Sequence, residues 1–118
     1  MLDLLFVLLL GHFIGDFAFQ TGRMAKLKPT SLLVLTEHVT IYTLTLTGFL
    51  YFGLVLTEQV DKFFTWTTLW VMLFVFVEHW CQDLIKGRKF ASLTQAFFVD
   101  QVLHIVVLYA MRLLIYNA

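Results

Sequence analysis

Four apolar stretches of membrane-spanning length, each interrupted by one histidine and at least one carboxylate, constrain this chain more than any other feature. They carry His12 with Asp16, Glu37 beside His38, Glu78 and His79 with Asp83, and Asp100 with His104. A bilayer core takes roughly 20 residues of helix, and windows at about 2–20, 31–56, 63–85 and 93–116 meet that length. Only 14% of the residues are charged and 60% are hydrophobic, whereas soluble domains carry about a quarter charged residues. The expected fold is therefore all-α and polytopic, with four transmembrane helices as two tandem hairpins in one bundle and nothing left for a soluble domain. Ionisable groups inside such helices are expensive to bury, which makes them markers of a functional site.

The loops orient the chain. Arg23, Lys26 and Lys28 lie between the first two spans, and Lys86, Arg88 and Lys89 between the third and fourth, whereas Lys62 sits beside Glu58 and Asp61. Lys and Arg concentrate in cytoplasmic loops, so the expectation is a multi-pass protein of the cell inner membrane with both termini outside. The six basic residues suit an anionic leaflet and not nucleic acid. The first segment has Asp3, no preceding Lys or Arg and no small-x-small cleavage site, so it reads as a retained helix rather than a removable signal. A lone cysteine, Cys81, excludes an intramolecular disulfide and a Cys-based zinc cluster.

Helix punctuation falls where hairpins need it. Thr21-Gly22 is expected to close the first helix, with Gly22 in a left-handed C-terminal position, and Thr30 or Ser31 after Pro29 to cap the second. Ser92-Leu-Thr-Gln95 has the form of a capping box opening the fourth. Gly11, Gly15, Gly48 and Gly53 offer close helix approach. The halves resemble a tandem repeat: His12-x3-Asp16 precedes Gly22-Arg23 as His79-x3-Asp83 precedes Gly87-Arg88, and His12 to His38 spans 26 residues against 25 from His79 to His104.

Counting from the cytoplasmic helix ends puts all four histidines at depths of roughly 10 to 17 Å, the common level that a shared site requires. His12/Asp16, His79/Asp83 and Asp100/His104 are i,i+4 pairs that project from one stripe. The expected metal ligands are His12, Asp16, His38, His79, Asp83, Asp100 and His104. Glu37 is the candidate general base, with Asp16 a second catalytic candidate, and Gln20 and Gln101 supply amides that fix ligand orientation. Glu37 and Glu78, each adjacent to a histidine, diverge from it by about 100°; Glu78, and in part Glu37, are candidates for an interface between subunits. Homo-oligomerisation is expected, because four short helices bury little surface for so many polar groups.

Histidine with carboxylate suits Zn, Mn or Fe better than Cu(I) or an iron–sulfur cluster, and the donors exceed what a single tetrahedral zinc needs. One or two divalent ions are expected. An ion with an open position supports hydrolysis of a lipid or small phosphoester at the membrane, with membrane lipid as the standing partner. The alternatives are ion, proton or metal transport through a His/carboxylate relay, and a metal-stabilised structural or interaction subunit of a membrane or defence system. The hydroxyl stripe Thr36, Thr40, Thr43 and Thr47 is accounted for by back-bonding to helix carbonyls.

The run Leu10-Gly-His12-Phe-Ile-Gly-Asp16-Phe-x2-Gln20, then His38, His79-x3-Asp83 and Asp100-Gln101-x2-His104, resembles a prokaryotic and phage integral-membrane family, the domain of unknown function 3307. The resemblance covers essentially the whole chain and implies a small four-helix membrane protein with no established activity. More distantly, the His/Asp pattern is similar to that of membrane proteins held to be metal-dependent hydrolases, an analogy of pattern alone.

Overall fold

A computed structural model describes residues 3–89 and 94–117. Among them every regular element is helical. Helix α1 (Leu4–Phe13) widens into a π-helical turn at Ile14–Ala18; α2 (Gly22–Leu27) is a short connector; α3 (Leu32–Leu56) leads through a 3₁₀ turn at Val60–Phe64 to α4 (Trp66–Lys89), and α5 (Thr94–Tyr116) closes the bundle. Three stretches, Leu32–Leu56, Trp66–Gly87 and Gln95–Tyr116, are long and apolar enough to cross a membrane, and the apolar helix Leu4–Ala18 is shorter. At 1.5 Å per residue that first helix reaches about 22 Å, short of a hydrocarbon core of about 30 Å.

The molecule is apolar outside and polar at one place inside. Leu33, Leu44, Trp66, Trp70 and Phe74 are exposed, whereas His12, Asp16, His38, His79, Asp83, Asp100 and His104 are buried. A chain in water would invert that distribution, so this is a membrane-embedded, multi-pass protein whose outer surface meets lipid. Apart from the buried Thr68, the rest of the described interior is largely apolar: Leu4, Leu8, Tyr42, Leu46, Leu50, Leu54, Met72, Leu108 and Met111 belong to one cluster.

Small residues set how closely α1 approaches α3. A Cβ added at Gly11 would lie 2.7 Å from Phe49 Cβ, and one at Gly53 would lie 2.7 Å from Leu4 Cδ1, whereas one at Gly48 would meet nothing within 4 Å. Gly87 seats against Pro29, 3.0 Å from where its Cβ would be, which joins the segment before α3 to the end of α4.

Side-chain caps fix the helix starts. Asp3 accepts from Leu5 N at 2.8 Å, Ser31 Oγ from Val34 N at 3.3 Å and Thr65 Oγ1 from Thr68 N at 3.2 Å, so α4 begins later than the expected Phe63. The expectation for Gly22 is corrected. Thr21 Oγ1 accepts from Met24 N at 3.1 Å, so Thr21 and Gly22 open α2 instead of closing α1, and no described glycine has a positive φ. The first helix ends through its π turn, where Phe19 N donates to Ile14 O at 2.9 Å. Residues Ser92 and Leu93 of the expected capping box lie outside the described residues.

At the other end of the bundle, Arg112 Nε and Nη2 donate to the two oxygens of Asp3 at 2.8 and 3.0 Å. That bidentate pair and the Leu5 N–H hold the Asp3 carboxyl below the usual carboxylate range. It ties the start of α1 to α5, while Lys62 Nζ donates to Tyr116 O.

Candidate metal centre

Asp16 comes from the π turn, His38 from α3, and His79 and Asp83 from successive turns of α4. His38 Nε2 lies 3.1 Å from Asp16 Oδ1 and 3.2 Å from Asp83 Oδ2. His79 Nε2 lies 3.4 Å and 3.3 Å from the same two oxygens, and the two nitrogens are 3.3 Å apart. One donor atom from each residue thus lies within 4.8 Å of the other three, with all four residues buried. Five of the six separations among these atoms are 3.1–3.4 Å, a spacing on the scale of the edges of a four-coordinate site with bonds of about 2.0–2.2 Å.

Hydrogen bonding alone serves this arrangement badly. Each Nε2 faces two carboxylate oxygens and the other Nε2, yet a ring nitrogen has at most one N–H to offer. The Nδ1 atoms of both rings are buried without a hydrogen-bond partner among the described residues, so each imidazole's polar contacts are made through Nε2. A cation held among them would satisfy all four donors at once. This buried His/Asp cluster, capable of holding a divalent metal, sits within the membrane-crossing helices.

A second set adjoins it. Asp83, Asp100 and His104 bring one donor atom each within 4.8 Å of one another. His104 Nε2 is 3.4 Å from Asp100 Oδ1, and its ring stacks on that of His79 with centroids 4.5 Å apart. Glu78 Oε2 approaches His104 Nδ1 at 3.9 Å, and Gln82 donates to the other Glu78 oxygen.

His12 stands beside the cluster with both ring nitrogens engaged. Tyr42 O–H donates to Nδ1 at 2.8 Å. Nε2–H donates to Gln101 Oε1 at 2.9 Å, a tautomer assigned from the amide oxygen, which can only accept. Gln101 Nε2 in turn donates to Asp16 Oδ2 at 3.3 Å and Asp100 Oδ2 at 3.2 Å. His12 therefore acts through Gln101 on the two aspartates. The π turn explains why His12 and Asp16 diverge: the extra residue in the turn breaks the i,i+4 stripe and sends Asp16 to His38 and His79.

Two other expected residues lie apart. Glu37 is exposed and accepts from Arg23 Nη1 at 3.2 Å, and Gln20 makes no hydrogen bond to the cluster among the described residues, its Oε1 being buried without a partner. Three contributors were missed in the sequence. Tyr42, one turn beyond His38, lies with its ring 3.9 Å from that of His79, and its i,i+4 spacing was a readable signal. Lys28 Nζ donates to Asp83 Oδ2 at 3.0 Å. Lys86 Nζ donates to Asp100 Oδ2 at 3.0 Å and lies 3.6 Å from Asp83 Oδ1, an i,i+3 pair legible on α4.

Beside Lys86 and Asp100 a groove of about 410 Å³ opens between α4 and α5, walled by Ile85, Val99 and Leu103 with Gln82. On the other side the apolar cluster of Leu46, Leu50, Leu54 and Leu108 closes off the interior. Thr36, Thr40 and Thr47 hydroxyls donate to carbonyls of their own helix, whereas Thr43 Oγ1 is buried without a hydrogen-bond partner among the described residues, so back-bonding does not account for the whole stripe.

Residues 4–118 match the model of the family described as "Protein of unknown function (DUF3307)". No curated protein and no solved structure matches the chain.

Proposed function

We propose, for a chain that belongs to the family of unknown function DUF3307, a membrane-embedded metalloprotein that hydrolyses a lipid or small phosphoester at the cytoplasmic leaflet. The observation that carries the metal in this reading is five donor separations of 3.1–3.4 Å among Asp16, His38, His79 and Asp83, which suits zinc and also admits Mn or Fe; the hydrolysis rests on the groove at Lys86 and Asp100. A divalent ion with an open position acidifies water and polarises a phosphoryl oxygen. In the hydrolysis the water oxygen bonds to phosphorus and the ester P–O bond breaks. One water proton leaves with the alcohol, so the products are an alcohol and phosphate.

The chain's own residues supply the surroundings. Lys86, at the polar edge of the groove, offers an ammonium to a phosphate, and the apolar walls suit the chain of an amphiphile. The arrangement is read as four membrane-crossing helices in two tandem hairpins with both termini outside, the short first helix being accommodated by local thinning or by its neighbours. Conduction through one protomer is disfavoured by the leucine-rich core on the far side of the cluster. A metal-stabilised structural role is favoured by one observation: four protein donors leave the first ion no open position, the mark of structural zinc sites.

Elemental analysis of detergent-purified protein, wild type beside His38→Ala and His79→Ala, tests the metal. Stoichiometric zinc, manganese or iron lost from both folded variants is expected; folded wild type that takes up none of them overturns the reading. Phosphate release from phosphomonoester lipids in micelles and from soluble phosphoesters then separates hydrolase from structural site, a metal-loaded protein without turnover leaving only the latter.

A further inference from the structure

The four-donor cluster uses only one oxygen of Asp83 and none of His104. Asp83 Oδ1 and His104 Nε2 are buried and have no hydrogen-bond partner among the described residues. Lys86 Nζ lies 3.6 Å from Asp83 Oδ1, and Asp100 Oδ1 lies 3.4 Å from His104 Nε2. Unpaired polar atoms at such depth are costly. Asp83, Asp100 and His104 each bring one donor atom within 4.8 Å of the others, close enough to share one ion.

We propose that Asp83 bridges two ions, one in the four-donor cluster and a second held by Asp83, Asp100 and His104, and that the second ion binds together with a phosphate group. The proposal rests on the metal reading of the first cluster and gives the two ions different work. With four protein donors the first is closed; with three the second keeps an open position, as catalytic sites do. Asp100 and Lys86 also line the groove, so the open side of the second site is next to the space where a substrate would lie. Carboxylate-bridged pairs of ions are a recurrent solution for phosphoryl chemistry.

Charge selects the ligand class. The carboxylates of the two sets and their neighbour Glu78 are four: Asp16, Asp83, Asp100 and Glu78. Lys28 and Lys86 bring two positive charges against Asp83 and Asp100. One divalent ion closes that count at neutrality, and a second leaves two positive charges in a desolvated interior, where uncompensated charge is costly. A phosphate dianion supplies the compensation, with Lys86 at the groove as its first contact. Lipid headgroup and free phosphate share this chemistry, and the groove's apolar walls are the feature on which they differ.

Metal-stripped protein in detergent, titrated with Mn²⁺ with and without inorganic phosphate, tests the proposal through metal-to-protein ratio and the electron paramagnetic resonance spectrum. Two ions per chain with an exchange-coupled signal are expected. Phosphate should raise the second ion's affinity by roughly tenfold, within the usual range of coupling between sites, and a short-chain phosphomonoester lipid should do so at lower concentration than phosphate if the groove holds its tail. His104→Ala should bind one ion and give an uncoupled signal, and His104→Gln is the second variant should the first fail to fold. Lys86→Gln should retain two sites but lose most of the phosphate effect. A single ion in wild type and Lys86→Gln alike, with no coupled signal, overturns the second site and leaves the first-cluster reading standing; no ion at all in folded protein overturns both.

Discussion

At the scale of single residues, two of the three i,i+4 pairs deliver both of their donors to a common set, while Asp16 and His38 are brought in by packing. His79 and Asp83 share a stripe of α4 and both reach the centre, as do Asp100 and His104 of α5 for the neighbouring set. Glu37 follows the same rule in the negative: adjacent to His38 and rotated by about 100°, it faces Arg23 on the surface. His12 departs from its expected place as a ligand, because a Tyr and a Gln from other helices use both its nitrogens, and partners supplied by tertiary packing cannot be read from local spacing. Gln101 is the residue on which this distinction can be tested, since it connects His12 to Asp16 and Asp100. Gln101→Leu should weaken metal binding about 10- to 100-fold, the usual cost of losing an orienting partner, while full occupancy returns at saturating metal. Glu37→Gln should bind like wild type; a competition titration against a chromophoric chelator measures both. Acidification should release the ion, because imidazole and carboxylate ligands must be deprotonated to bind. Retention of metal unchanged at a pH well below the ordinary histidine range would speak against histidine ligation.

At the scale of elements, α3, α4 and α5 were legible because length and uninterrupted apolarity determine a spanning helix, and Ser31 caps α3 as its place after Pro29 implied. The π turn at Ile14–Ala18 was not legible: nothing in Ile-Gly-Asp-Phe-Ala distinguishes five-residue from four-residue bonding, and the choice is made where α1 meets α3. That contact makes a paired prediction. Gly11→Val and Gly53→Val each drive a Cβ to 2.7 Å from an atom of the facing helix and should destabilise by about 1–3 kcal/mol, the range for overpacking. Gly48→Ala, with nothing within 4 Å, should be neutral or mildly stabilising. Thermal unfolding in one detergent compares the three, and equal effects at Gly11 and Gly48 would mean that α1 does not pack on α3 this closely. At the other end Asp3 both caps α1 and pairs with Arg112. Its carboxyl is held below the ordinary range, so its contribution is present above that range and is lost as pH falls through the lowered value. Asp3→Asn should therefore lower the unfolding midpoint at neutral pH and erase its difference from wild type in acid.

At the scale of the whole molecule, polar and apolar interiors divide the bundle into two ends, and each end carries its own charges. Lys28 and Lys86 stand with the buried aspartates, and the Pro29–Gly87 contact brings the two basic connections together at that end. The opposite end has the Asp3–Arg112 pair and Lys62 near the close of α5. The tandem pattern proposed from the sequence agrees with this division of charge, because hairpins repeated in the same orientation would put both basic loops on one side. It did not foreshadow that two of those lysines turn inward to the carboxylates, since a loop lysine reads as a solvated charge until a buried partner is known. Under the proposed topology, the bias of Lys and Arg toward the cytoplasm would place the cluster end inward. In a Cys81→Ala background, a cysteine at Asp61 should react with a membrane-impermeant maleimide in intact cells. One at Lys26 should react only after permeabilisation. The reverse pattern would invert the bundle and carry the metal centre to the outer leaflet; labelling of both positions in intact cells would break the hairpin arrangement. The bias here comes from few residues, so the inward lysines matter to the argument: Lys28 and Lys86 are partly neutralised by Asp83 and Asp100, which leaves Arg23, Lys26, Arg88 and Lys89 to carry the orientation. Replacing those four with Gln should therefore mix the labelling at Asp61, whereas Lys62→Gln should leave it intact.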